Sequence, residues 1–260
     1  MFLRIQDWVA HVQSEGADSR PALLFLHSLG TNLHVWDPQA ARLAGSFRVI
    51  RADLRGHGLS EVTPGPYTIE GLAEDMLGVL DALGIASAHV IGLSIGGLIA
   101  QALALRAPNR VASLTLCDTA LVIPPPETWH ERARLVRSQG MGAIAEAVLG
   151  RWITPSHRET PAGRGLRQML LRTDPEGYAG AAEAIAAADF TAKTPTLSLP
   201  AHVIVGSEDV ATPSAAAEVL ARALNARLSV IEGAAHIPNF EREDAFTDAI
   251  AGFLNARGGQ

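Results

Sequence analysis

The pentapeptide Gly92-Leu93-Ser94-Ile95-Gly96 follows the strand-like His89-Val90-Ile91 and precedes a helix-like run from Gly97 to Leu103. A serine in this G-x-S-x-G context sits on a sharp strand-to-helix turn that lifts its hydroxyl into a site, and a side chain larger than glycine on either flank would clash. The chemistry is nucleophilic attack on an acyl carbon. The bare pentapeptide is common by chance, so its two flanks carry the weight. A dinucleotide loop is disfavoured, because the G-x-G-x-x-G spacing is missing and this strand is not the first of the chain.

A serine hydroxyl is a poor nucleophile at neutral pH and needs a base within hydrogen-bond reach and an acid to orient that base. Behind an elbow of this kind the partners follow in the order serine, acid, histidine. His236, in Glu232-Gly233-Ala234-Ala235-His236-Ile237-Pro238, lies just past the last expected strand and is the candidate base. Asp209, in Val205-Gly206-Ser207-Glu208-Asp209, follows a strand and precedes Thr212-Pro213, and is the preferred acid. Asp118, at the end of the expected strand Ser113 to Cys117, is its rival, with Glu208 behind both. The developing oxyanion needs backbone donors, expected from the N–H groups of Ile95 and of Leu29 in His27-Ser28-Leu29-Gly30-Thr31. Asp53 precedes the serine and is expected to organise a loop; His27, His57, His130 and His157 are expected to be structural or peripheral. No histidine spacing suggests a metal site, no cofactor motif is present, and Cys117 is expected to be simply buried.

These residues must be positioned by regular elements. Buried strands are expected at Ala22 to Leu26, Phe47 to Ile50, His89 to Leu93, Ser113 to Leu116, Ala201 to Val205 and Arg227 to Ile231, with amphipathic helical stretches between them. Continuous apolar strands alternating with helices predict an α/β fold with a mainly parallel sheet covered on both faces. Residues 1–13 are expected to add an antiparallel hairpin. From 121 to 198 the pattern becomes helical, broken by Pro124-Pro125-Pro126, Thr154-Pro155, Thr160-Pro161 and Asp174-Pro175, with the Ala-rich 179–188 read as one helix. The expected division is a core of 1–120 and 199–260 with an inserted helical cap, 121–198, over the carboxyl edge of the sheet, where ligands bind in open α/β sheets.

Composition narrows the partners. The 260 residues are 48% apolar and 18% charged, which describes a globular chain with a substantial core. A net charge of −6 without basic runs argues against nucleic acid. The stretch from Val90 to Leu105 is too short and too glycine-rich for a membrane span. One cysteine excludes an internal disulfide, and the N-terminus lacks an apolar signal core, so the expected compartment is the cytoplasm and the expected partner a small molecule. Oligomeric state is left open.

With Ser94, Asp209 and His236 placed, the chain resembles the α/β-hydrolase superfamily over essentially its whole length. A finer likeness is to 3-oxoadipate enol-lactonases, carried by Leu116-Cys117-Asp118-Thr119-Ala120, by the segment Gly140 to Pro155, and by Asp174-Pro175-Glu176-Gly177-Tyr178. The resemblance implies an enzyme of the β-ketoadipate branch of aromatic degradation that hydrolyses a carboxylated enol-lactone to 3-oxoadipate without a cofactor. The end of the chain at Gln260 suggests the stand-alone form, without a fused decarboxylase domain. An anionic substrate gains no overall steering from a chain of charge −6, so a local cation is expected. Arg132 near Trp129, and Arg151 beside Trp152, are the substrate-binding candidates, the guanidinium pairing a carboxylate and the indole supplying an apolar wall. Solvated arginines and core tryptophans are the plain alternative. The competing functions are a broad-specificity carboxylesterase, with perhydrolase activity as a variant of the same machinery, and a non-catalytic small-molecule binding protein of the same fold. Ser94 speaks against a dehalogenase, which would use aspartate there.

Overall fold

The apolar runs pair into one eight-stranded sheet in the computed structural model, which describes residues 1–256. Gln260, from which a stand-alone form was expected, lies outside the described residues. The strands are β1 (Phe2–Ile5), β2 (Trp8–Glu15), β3 (Ala22–Leu26), β4 (Arg48–Ala52), β5 (Ala88–Leu93), β6 (Val111–Cys117), β7 (Ala201–Gly206) and β8 (Arg227–Ile231), in the order β1-β2-β4-β3-β5-β6-β7-β8. The first two form the expected hairpin, β2 joins β4 antiparallel, and the other pairings are parallel. Strands β3 and β7 are buried along their whole length, which is why they read as unbroken apolar runs rather than as alternation.

One strand is shifted from expectation. The run expected to stop at Ile50 continues through Arg51 and Ala52. Arg51 is buried because its guanidinium is neutralised by Glu15 and Asp37, and Ala52 pairs with both Val12 and Leu26. A charge that ends an apolar pattern in sequence is here carried into the sheet by two partners.

Helices α1 (Asp37–Leu43), α2 (Ile69–Ala82) and α3 (Ile95–Arg106) connect the strands up to β6. Helix α2 is one-sided, burying Ile69, Leu72, Ala73, Met76, Val79 and Leu80, and its first turn is capped by Thr68 Oγ1, which accepts from the Gly71 N–H. Helix α3 is buried from Ile95 to Ala104, so its sequence shows almost no polar face. Between β6 and β7 lie α4 (Pro126–Gln139), α5 (Ala145–Trp152), α6 (Pro161–Arg172) and α7 (Pro175–Ala187). The Asp174-Pro175 pair that reads as a turn is the start of α7: Asp174 Oδ1 accepts from the Glu176 and Gly177 N–H groups and Pro175 opens the helix. Helix α4 packs along α7, where Arg137 pairs with Glu176 and Glu183. The chain returns through α8 (Ser214–Ala223) and ends with α9 (Pro238–Glu241) and α10 (Glu243–Asn255). Among the described residues no helix is long and apolar enough to cross a membrane.

Candidate active site

Strand β5 delivers Ser94 to a turn with φ 58° and ψ −117°, a left-handed conformation that is unfavourable for a residue bearing a Cβ. Close packing holds it there. A Cβ on Gly92 would overlap the Gly96 carbonyl, and one on Gly96 would overlap the Leu26 carbonyl of β3. The neighbouring strand end clamps the serine backbone: Ser94 N donates to Cys117 O at 2.9 Å, and Thr119 Oγ1 donates to Ser94 O at 2.8 Å. Cys117 itself is fully buried, and burial pushes its thiol well above the usual range, so it stays a protonated core residue.

The loops after β7 and β8 bring Asp209 and His236 together. His236 Nδ1 lies 2.8 Å from Asp209 Oδ2, and both residues are buried. An ionised carboxylate only accepts, so Nδ1 carries the proton and Nε2 is left as the basic nitrogen. Asp209 also accepts from the N–H groups of Ala211 and Thr212 and from Thr212 Oγ1, at 2.7 to 3.1 Å. Burial works to raise this carboxyl, but the charge and hydrogen bond of His236 and the bonds from Thr212 outweigh it and hold it below the usual carboxylate range. Ser94 and His236 line one cavity of about 400 Å³. Their side chains do not hydrogen-bond to each other among the described residues; in enzymes of this chemistry that contact commonly tightens only around a substrate. Asp118, the rival acid, is also near: one ligand-type atom each of Asp118, Asp209 and His236 lies within 4.8 Å of the others.

Leu29 lines the same cavity, and Ile95 follows Ser94 at the start of α3. Among the described residues neither N–H donates to another protein group, which leaves both available to an oxyanion. Two buried histidines frame the Leu29 loop. His27 Nδ1 donates to Ser28 O at 2.8 Å while its Nε2 accepts from Leu54 N at 2.9 Å; His57 Nδ1 donates to Arg55 O and its Nε2 accepts from Gly30 N, both at 3.2 Å. Each ring donates once and accepts once, so each must be neutral. Burial lowers both, with the neighbouring His27 adding to the effect at His57, which falls to about 3. Asp53 organises the adjoining loops as expected, accepting from the N–H groups of Leu33 and Leu59 and contacting His11 Nδ1.

The far wall of the cavity is built by α4, α5 and α7. Trp129 and Arg132, three residues apart, share one face of α4, and Val148, Arg151 and Trp152 share one face of α5. All five line the cavity with Ser94 and His236. The Arg132 guanidinium lies over the Trp129 ring, 4.7 Å from its centroid. Desolvation lowers Arg151, and the neighbouring positive charge of Arg132 lowers it further. No carboxylate of the described residues forms an ion pair with either arginine. His130 and His157, expected to be peripheral, do not line this cavity.

Three contributors escaped the sequence reading. Tyr178 lines the cavity together with the two arginines, which oppose the rise that burial imposes on its phenol. Its place in the segment Asp174 to Tyr178, which carries part of the enol-lactonase likeness, was the available signal. Thr212 could have been suspected from its position three residues after Asp209, where its N–H and hydroxyl reach back to the carboxylate. Glu241 is a buried acid in the apolar run after His236. Its Oε2 accepts from Ala235 N at 2.6 Å, and its Oε1 accepts from Thr154 N at 2.8 Å and from Thr154 Oγ1 at 2.6 Å. With the bond from Ile237 N to Trp152 O at 2.9 Å, it ties the end of α5 to the loop that carries His236.

A strand-to-helix serine and a histidine–carboxylate pair on later loops, all at one edge of a mainly parallel sheet, define a hydrolase of the α/β class. The chain belongs to the alpha/beta hydrolase fold family, whose model matches residues 21–243. It is 38% identical to the 3-oxoadipate enol-lactonase 2 of Acinetobacter baylyi, over 95% of this chain and 94% of that protein. Among solved structures it is similar to the enol-lactonase from Burkholderia xenovorans LB400, with a TM-score of 0.95 and 43% identity over 98% of this chain and 100% of that one. It is also similar to a thermophilic esterase from Thermogutta terrifontis solved with malate bound, with a TM-score of 0.91 and 34% identity over 96% of this chain and 94% of that one.

Proposed function

We propose that this chain hydrolyses 3-oxoadipate enol-lactone to 3-oxoadipate by covalent catalysis at Ser94. The observation that carries this reading is the pair Arg132 and Arg151, two cations without acidic partners among the described residues, in the same cavity as Ser94 and His236. A substrate joining a free carboxylate to a reactive acyl group would satisfy both ends of that cavity. The similarity to two enol-lactonases supports the same substrate class.

In this reading Ser94 Oγ attacks the lactone carbonyl while His236 Nε2 takes its proton, and Asp209 holds the ring in that tautomer and steadies the imidazolium. The N–H groups of Ile95 and Leu29 receive the oxyanion. The acyl–oxygen bond then breaks, and the enolate leaving group takes the proton from His236 and goes over to its ketone, which makes ring opening effectively irreversible. Water deprotonated by His236 attacks the acyl-serine, releases the carboxylic acid and returns the proton to Ser94. Residues 121–198 act as a cap over a core of 1–120 and 199–260. Within the cap, Arg132 and Arg151 pair with the substrate carboxylate while Trp129 and Trp152 wall the apolar part of the ring.

The test is a comparison of kcat/KM for the enol-lactone and for a neutral p-nitrophenyl ester. Strong preference for the lactone is expected. A better rate on the neutral ester would make the chain a broad-specificity carboxylesterase, and cleavage of neither would favour a small-molecule binding protein of this fold.

A further inference from the structure

Two buried carboxyl groups, Asp118 and Asp209, lie close to His236 and to each other, and they are not equivalent. Asp209 receives four donors: the N–H groups of Ala211 and Thr212, the Thr212 hydroxyl and His236 Nδ1. Asp118 receives one, from the Gly206 N–H to Oδ1 at 2.9 Å. Its second oxygen, Oδ2, is buried without any donor among the described residues, although an Asp118 oxygen lies within 4.8 Å of an Asp209 oxygen and of a His236 ring nitrogen. Two anions at that spacing in a dry site repel strongly, and an unpartnered buried carboxylate oxygen carries a large desolvation cost. One proton removes both penalties, and it belongs on the group with fewer donors.

We infer that Asp118 is a neutral carboxylic acid that donates its O–H to Asp209, and so acts as a positioning residue behind the His236–Asp209 pair. The inference rests on the reading of Ser94, His236 and Asp209 as the reacting set. The groups facing Asp118 agree with it: burial and the nearby charge of Asp209 raise the Asp118 carboxyl well above its usual range, with a smaller contribution from Glu241, and the Cys117 thiol beside it stays neutral. The proton remains on Asp118 throughout, since His236 alone exchanges protons with Ser94 and substrate.

The backbone explains why the acid sits here. Asp118 has a positive φ of 43°, and its N–H donates to Ile204 O at 2.9 Å. Its neighbours Cys117 and Thr119 hold the main chain of Ser94, while its own carboxyl holds Gly206 and reaches Asp209. Three consecutive residues thereby set the nucleophile and the acid relative to each other. A neutral donor does this without adding a second negative charge next to the imidazole.

The experiment is infrared difference spectroscopy at neutral pH between the wild type and Asp118→Asn, paired with kcat and KM for Asp118→Asn and Asp118→Gly. Asparagine and glycine both tolerate the positive φ, so both variants are expected to fold. The wild type should show the C=O stretch of a protonated buried carboxyl, and Asp118→Asn should lose it. Asp118→Gly should lose at least tenfold in kcat with KM little changed, and Asp118→Asn, whose amide N–H can replace the O–H, should recover most of that loss. No protonated band in the wild type would overturn the inference. So would an acid limb of the Asp118→Asn pH–rate profile displaced downward by a full pH unit, the signature of removing an anion. The band is read without turnover, so failure of the lactonase reading would leave this test intact.

Discussion

His57 Nε2 accepts a hydrogen bond from the Gly30 N–H at 3.2 Å, so a neutral, buried imidazole holds the loop on which Leu29 lines the cavity. The bond exists only while that nitrogen is unprotonated, and burial together with the neighbouring His27 keeps His57 at about 3.

The arrangement makes stability depend on pH with a definite sign. The unfolded chain takes up a proton at His57 near pH 6.5 and the folded chain only near 3, so the contribution is fully present above 6.5 and is lost as the pH falls through that window. Each such histidine steepens the dependence by up to about 1.4 kcal/mol per pH unit. Urea unfolding between pH 7 and pH 4 should therefore show a shallower loss of stability in His57→Gln than in the wild type. Equal slopes would mean that His57 is not held neutral.

Asp209→Asn should fold, since asparagine fills the same space, but its amide can face His236 Nδ1 with a donor and thereby favour the wrong tautomer. Steady-state kinetics on the lactone should show kcat lower by on the order of 10³ to 10⁴ with KM nearly unchanged. A loss below tenfold would move the acid role to Asp118.

Removing the charge from Arg132 or Arg151 should act on carboxylated substrates alone. A charged hydrogen bond contributes about 1.5 to 3 kcal/mol, so Arg132→Ala or Arg151→Ala should weaken kcat/KM for the lactone by roughly 10- to 100-fold. The rate on a neutral p-nitrophenyl ester should stay within a factor of about three. Parallel losses on both substrates would assign the arginines to the architecture of the wall instead.

Glu241→Ala leaves the Thr154 N–H, the Thr154 hydroxyl and the Ala235 N–H without their acceptor. Thermal melts should register a loss on the order of 3 kcal/mol, because buried donors are stranded. Turnover should fall as well, since the loop bearing His236 is released from α5. An unchanged melting temperature would show that water replaces the carboxylate at no cost.

That Ser94, Asp209 and His236 come together was legible because each is announced by its immediate neighbours: an elbow between glycines, and two loops directly after apolar strands. The sheet was legible for the same reason, its buried strands being continuous apolar runs. Arg51 misled the reading of β4, because its neutralising partners Glu15 and Asp37 lie on other elements. Glu241 and Asp118 were unreadable as structural devices for a related reason. Glu241 acts on Thr154, 87 residues away, and Asp118 on Gly206, 88 residues away, and no local pattern reports such a contact. Tyr178 enters the cavity only because α7 packs against α4, which is a tertiary fact.

Opening of the lactone by Ser94 is tested by following the loss of ultraviolet absorbance of 3-oxoadipate enol-lactone with wild type and with Ser94→Ala. Rapid decay is expected with the wild type and, with the folded variant, none above the uncatalysed rate. Equal decay with both proteins, or none with the wild type, would contradict it.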